Sequence, residues 1–108
     1  MHTEQILTQL AELTQTNRKG VDALFEAEEE LAHAENELDA VEARAFLSAE
    51  GSVAERTQQA KLSAAEARLA RDVARAQVTR IKTKLRVIES EIVAQSTMAK
   101  LLAAEVRL

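Results

Sequence analysis

The chain has no cysteine, no proline, no tryptophan and no tyrosine, and only two glycines and two phenylalanines among its 108 residues. Each absence excludes something. Without cysteine there are no disulfides and no thiolate metal sites, and the redox compartment cannot be read from the sequence. Without proline, and with abundant Ala, Glu, Leu and Arg, the composition is that of long helices or coiled coil, with negligible strand expected. Thin, alanine-rich helices with two aromatics enclose little apolar volume, so a lone copy is expected to be marginal and to self-associate. The opening MHTEQILTQL has no basic stretch leading into an apolar one, as a secretory signal would. The longest apolar run, Leu101 to Ala104, falls far short of the roughly 20 residues that cross a bilayer. A soluble cytoplasmic protein without a membrane partner is the expectation.

What the chain does have is one clear stop beside one clear start. In AFLSAEGSVAER, residues 45–56, Gly51 can take the left-handed conformation that ends helices. Ser52 can cap the next helix, and Glu55 three residues on completes a capping box in which each side chain bonds the other residue's backbone amide. A connection this short returns the second helix antiparallel to the first. The predicted fold is all-α: a single coiled-coil-like helical hairpin over 1–108, with one arm over about 3–49, a turn at Glu50–Ser52 and a second arm over about 53–107.

Heptads support both arms. Leu10, Asn17, Leu24, Leu31, Leu38 and Ala45 recur every seven residues, with Ile6, Leu13, Gly20, Ala27, Ala34 and Val41 as the companion row. The segment Thr14–Gly20 carries no apolar side chain. It is either a polar layer in a continuous helix or a hinge, with a break near Asn17–Gly20. In the second arm the stretch from Ala60 to Ala76 is alanine-rich, with Leu62, Leu69 and Val73 as its larger apolar residues, and suits a thin partner. Beyond Val78 the apolar face broadens past what one neighbouring helix covers: either the first fifteen residues fold back over it or, the preferred reading, Ile81, Leu85, Ile88, Ile92, Leu102 and Val106 form an oligomer interface. Phe25 and Phe46, three heptads apart, share a stripe beside the main seam. Either they pack on its shoulder or they mark a second interface.

Charge is divided unevenly. Residues 1–50 hold twelve acids against three bases, and residues 51–108 six acids against eleven bases, so a net charge of −4 conceals halves of −9 and +5. With a turn at Gly51 and equal rise in both arms, residues whose numbers sum to about 102 lie opposite each other. The acidic run Glu26–Glu42 then faces Lys61, Arg68, Arg71 and Arg75 as register-setting pairs. Arg80, Lys82, Lys84 and Arg86 fall beside Arg18 and Lys19 instead, with only Asp22 in opposition. These six are the candidate nucleic-acid-binding residues, suited to salt-sensitive contact with a phosphate backbone. No aromatic side chain is available there for base stacking.

Catalysis finds no constellation, and no enzyme activity or cofactor is expected. His33 and Glu37 lie one helical turn apart but make only half a metal site. The serines lack a neighbouring histidine, and no glycine-rich loop could cradle phosphate.

The segment Ala43–Arg56, with its Arg, aromatic and Leu followed by Gly-Ser-Val-Ala-Glu-Arg, resembles a family of small helical phage proteins, themselves distantly similar to the T4-type recombination mediators. That resemblance implies a phage DNA recombination or replication accessory protein in the host cytoplasm. Such a protein is oligomeric, binds single-stranded DNA weakly, and contacts a recombinase or single-strand-binding protein. The alternative is a coiled-coil adaptor, or a phage-encoded inhibitor of a host protein, without nucleic-acid binding.

Overall fold

Heptad spacing, strong helix formers and the absence of proline give a chain that is helical almost throughout, and a computed structural model describes residues 3–107, for 106 and 107 by backbone alone. Helix α1 spans Thr3–Ser48, α2 Val53–Ser63 and α3 Ala65–Arg107. The molecule is an all-α helical hairpin. Thr14–Gly20 is continuous helix, which settles the choice between hinge and polar layer: the Thr14 and Thr16 hydroxyls donate to the Leu10 and Glu12 carbonyls at 2.8 and 2.9 Å, so these side chains are satisfied without leaving the helix. The interruption lies elsewhere, at Ala64 (φ −94°, ψ 6°), between two stretches of good helix formers. Helical bonding resumes at once, with Ala64 N–H donating to Ala60 and Arg68 N–H to Ala64.

Contacts divide the chain into two units, one formed by the residues up to Leu24 with those from Arg80 onward, the other by Phe25–Thr79.

In the Phe25–Thr79 unit the buried residues are small: Ala27, Ala60 and Ala64, joined by Leu38 and Val78. The first-arm rows expected to face inward do so. On the second arm it is the alanines, not the larger apolar residues, that face inward. Leu62, Leu69 and Val73 are 77, 64 and 61% exposed, and the inward row is Ala60, Ala64, Ala67, Arg71, Ala74 and Val78. Spacing decides this. The inward row keeps alternate steps of four and three and meets the first arm's leucines with methyl groups, whereas Leu62, Leu69 and Val73 sit on the opposite side of the same helix.

The turn closes this unit. Gly51 has φ +109°, and a Cβ there would stand 2.6 Å from a Glu55 carboxylate oxygen, so glycine serves both the conformation and the space. Ser52 Oγ accepts from Glu55 N–H at 3.2 Å, as expected of an N-cap. The reciprocal contact differs: the Glu55 carboxylate accepts from the Ser52 hydroxyl at 3.1 Å. Arg56 adds a clamp that pattern reading missed. Its Nε and a terminal nitrogen donate to the Phe46 carbonyl at 3.1 and 3.0 Å, and its guanidinium carbon lies 4.3 Å from the centre of the Phe46 ring. Arg56 thereby satisfies a carbonyl in the last turn of α1 that has no helical partner of its own.

In the other unit the buried side chains are larger, Ile6 and Leu85. The arms approach closely where Gly20 meets Leu85: a Cβ at Gly20 would lie 2.5 Å from a Leu85 methyl. Asn17 and Gln95 both fall in the inward rows, and their side-chain oxygens are buried without a donor among the described residues.

Candidate nucleic-acid interface

Charge follows the same division as packing. In the Phe25–Thr79 unit, Arg68 reaches Glu42 at 3.2 Å and Arg75 reaches Glu35 at 3.9 Å, cross-arm pairs that the acidic run predicts. Their residue numbers sum to 110, whereas the Phe46–Arg56 contact at the turn sums to 102. The offset has a simple cause. Helical side chains lean toward their own N-terminus, so in an antiparallel pair two long side chains meet when each Cα lies about a turn beyond the point of contact. The other two bases behave differently. Arg71 bonds its neighbour Asp72 at 2.7 Å, and Lys61 has no carboxylate within ion-pair distance among the described residues. Arg44 pairs within its own arm with Glu37 at 3.6 Å, and His33 stands 3.8 Å from Glu29 rather than beside Glu37.

The six candidate cations all lie in the other unit, and all are exposed. Among the described residues none of Arg18, Lys19, Arg80, Lys82, Lys84 and Arg86 forms an ion pair. They do not form one surface, however. With the inward row at Ile81, Leu85 and Ile88, a rotation of about 100° per residue puts Arg80 and Lys84 on one flank of α3 and Lys82 and Arg86 on the other. On α1 the inward residues Leu13, Asn17, Gly20 and Leu24 place Arg18 toward the flank of Lys82 and Arg86, and Lys19 toward that of Arg80 and Lys84. The cations thus divide three and three. A phosphate backbone running along either flank meets one trio.

The residues assigned to an oligomer interface are engaged within the chain. Leu85 is buried, and Ile81, Ile88, Ile92 and Leu102 are half-buried; the Val106 side chain lies outside the described residues. The apolar side chains left exposed on this part of α3 are Val87, Val93, Met98 and Leu101. Residues up to Leu24 share this unit with them, and Gly20 stands directly against Leu85. The two phenylalanines also part company, Phe46 being half-buried under Arg56 and Phe25 63% exposed. Packing on the shoulder of the seam therefore describes Phe46 but not Phe25.

Other chemistry is sparse. Among the described residues no three His, Cys, Asp or Glu side chains gather as a metal group would require. The hydroxyls of Thr8, Ser48, Thr57, Ser90 and Thr97 donate to carbonyls four residues back, which occupies their protons. No described helix is long and apolar enough to cross a membrane. An open, mostly apolar surface groove of about 710 Å³ lies in the Phe25–Thr79 unit, lined by Glu30 and Ala34 of α1 and by Glu66, Leu69, Ala70 and Val73 of α3.

No family model, curated protein or solved structure matches the chain.

Proposed function

We propose that the protein is a non-enzymatic, oligomeric accessory factor of phage DNA recombination or replication that binds single-stranded DNA through its basic flanks. One observation carries this reading. Among the described residues six exposed cations lie in one unit without a carboxylate partner, while most bases of the other unit pair with an acid. A nucleic-acid strand laid along such cations gains affinity because each phosphate contact releases condensed counterions. Affinity of this kind is weak per chain, does not read sequence, and grows with the number of chains on a strand. Those properties suit a protein that holds single-stranded DNA while a recombinase or single-strand-binding protein exchanges on it, the partners that the resemblance at Ala43–Arg56 implies.

Fluorescence anisotropy with a labelled single-stranded oligonucleotide tests it. A strand on one flank engages three cations, and at about 0.7 counterions per single-strand contact the slope of log affinity against log salt is about −2 per chain. Lys82→Glu with Arg86→Glu should reduce binding by at least tenfold at low salt. Affinity that ignores both salt and this double substitution would leave the adaptor reading in place. That reading has one observation of its own, the exposed Phe25.

A further inference from the structure

The outer faces of the two arms differ. On α1 the residues turned away from the seam read Glu26, Glu29, His33 and Asn36, all exposed and all polar. On α3, Glu66, Leu69, Val73, Ala76 and Arg80 follow at steps of three, four, three and four with no position left out, opposite the inward row of Ala67, Arg71, Ala74 and Val78. All five are exposed, Leu69 and Val73 at 64 and 61%. This is a second heptad stripe on the side of the helix away from α1, with leucine and valine at its centre and one charge of each sign at its ends.

Those charges are placed symmetrically, Glu66 and Arg80 each standing seven residues from Val73. Neither forms an ion pair among the described residues, and the same holds for Lys84, one turn beyond Arg80. The only other charge on or beside the stripe from Glu66 to Lys84 is Asp72, which is held by Arg71 at 2.7 Å. Such a stripe is its own complement when two copies run antiparallel, because the apolar centres meet and each acid meets the other copy's bases. A parallel pair would set Glu66 on Glu66 and Arg80 on Arg80, so charge selects the antiparallel arrangement.

We propose that two copies of this chain pair back to back through α3, antiparallel and crossing between Leu69 and Val73. Leu69 of each copy packs on Val73 of the other, and Glu66 of each reaches Arg80 and Lys84 of the other. The contact is isologous and closes as a dimer. By equal rise per residue the second copy's turn comes level with about residue 91, where the contact ends. Arg80 and Lys84 then serve assembly, which leaves Arg18, Lys82 and Arg86 facing solvent in both copies. The pairing supplies the oligomeric part of the proposed function and does not depend on nucleic-acid binding.

Sedimentation velocity over a wide concentration range, without nucleic acid, tests the contact. The intact chain should sediment as a dimer. Leu69→Ser with Val73→Ser should reduce it to a single chain with an unchanged far-ultraviolet circular dichroism spectrum, because both side chains are already largely in solvent. Glu66→Lys, and separately Arg80→Glu with Lys84→Glu, should each weaken pairing by about tenfold or more, since each sets like charges together at both ends of the contact. Mixing these two variants should restore a dimer holding one chain of each kind, because the exchanged charges then match twice. A wild-type chain that is monomeric throughout would overturn the proposal and leave the stripe to a helix of another protein. A serine variant that keeps the parental mass, or a mixture that associates no better than its components, would overturn it as well. Leu69 and Val73 lie outside the six cations, so oligonucleotide binding by the serine variant, read on a strand short enough to span one chain, reports the DNA reading separately.

Discussion

The Phe25–Thr79 unit and the unit holding both chain ends use the same heptad for opposite purposes. The first buries alanine against leucine, closes one flank with cross-arm arginine–carboxylate pairs and clamps its turn with Arg56. The second buries Ile6 and Leu85 and brings Gly20 against Leu85, and among the described residues it leaves the Asn17 and Gln95 oxygens without donors and pairs none of its six candidate cations. A seam built from small residues depends on close approach and on charge for its register. One built from large residues takes its stability from buried area and can leave its charges unspent. The contrast teaches that charge pairing follows packing here: where the core is thin, the flanks carry the register, and where it is thick, they are free for other partners.

That difference can be broken from either side. The largest effect is expected from Leu85→Ala, which removes a buried side chain packed on Gly20 and should cost about 3 kcal/mol in a denaturant melt, the range for leucine truncation in a core. In the other unit, where most of the buried residues are alanines, enlargement is the more telling change. Ala60→Leu should cost about 2 kcal/mol through overpacking and should also separate the arms enough to weaken the Arg68–Glu42 pair. Next comes the turn. Arg56→Ala loses both bonds to the Phe46 carbonyl and the stacking on its ring, for about 1–2 kcal/mol, whereas Arg56→Lys recovers only the cation and should fall between. Ser52→Ala removes an N-cap and should cost about 1 kcal/mol. The smallest effect is that of Glu42→Gln, about 0.5 kcal/mol or less at low salt and less again at high salt, since Arg68 and Glu42 are both partly exposed. A Glu42 effect as large as that of Leu85 would show that the ion pairs, not the cores, hold the hairpin together.

Much of this fold could be read from residue order. The turn was legible because Gly51, Ser52 and Glu55 each have a local physical role that does not depend on distant contacts. The first-arm seam was legible because its leucines and alanines keep strict steps of three and four over forty residues. The second arm was harder. Its largest apolar residues, Leu62, Leu69 and Val73, drew attention by size, but the alanines and Arg71 occupy the inward row, so volume was a poor guide and spacing from Val78 backward was the better one. The Ala64 interruption has no signature, since alanine is the best helix former and nothing flanking it breaks helices. The candidate cations were visible as a cluster in number, but their division into two trios depends on which way each helix is rolled, and that becomes plain only once the inward rows are known. Arg56 could have been found. An arginine ten residues after an aromatic, across a tight turn, lies within reach of the last carbonyls of the preceding helix.

The interruption at Ala64 bears on how the hairpin opens. The Arg68 guanidinium contacts the Lys61 carbonyl at 3.4 Å while bonding Glu42 on the other arm at 3.2 Å, so one side chain ties α2, the start of α3 and α1 together. Fraying that begins at the tip has to break this three-way tie before it can travel further along α3. Amide protons of α2 should therefore exchange with solvent as a group, ahead of those beyond Arg68, which gives the tip of the molecule its own opening step.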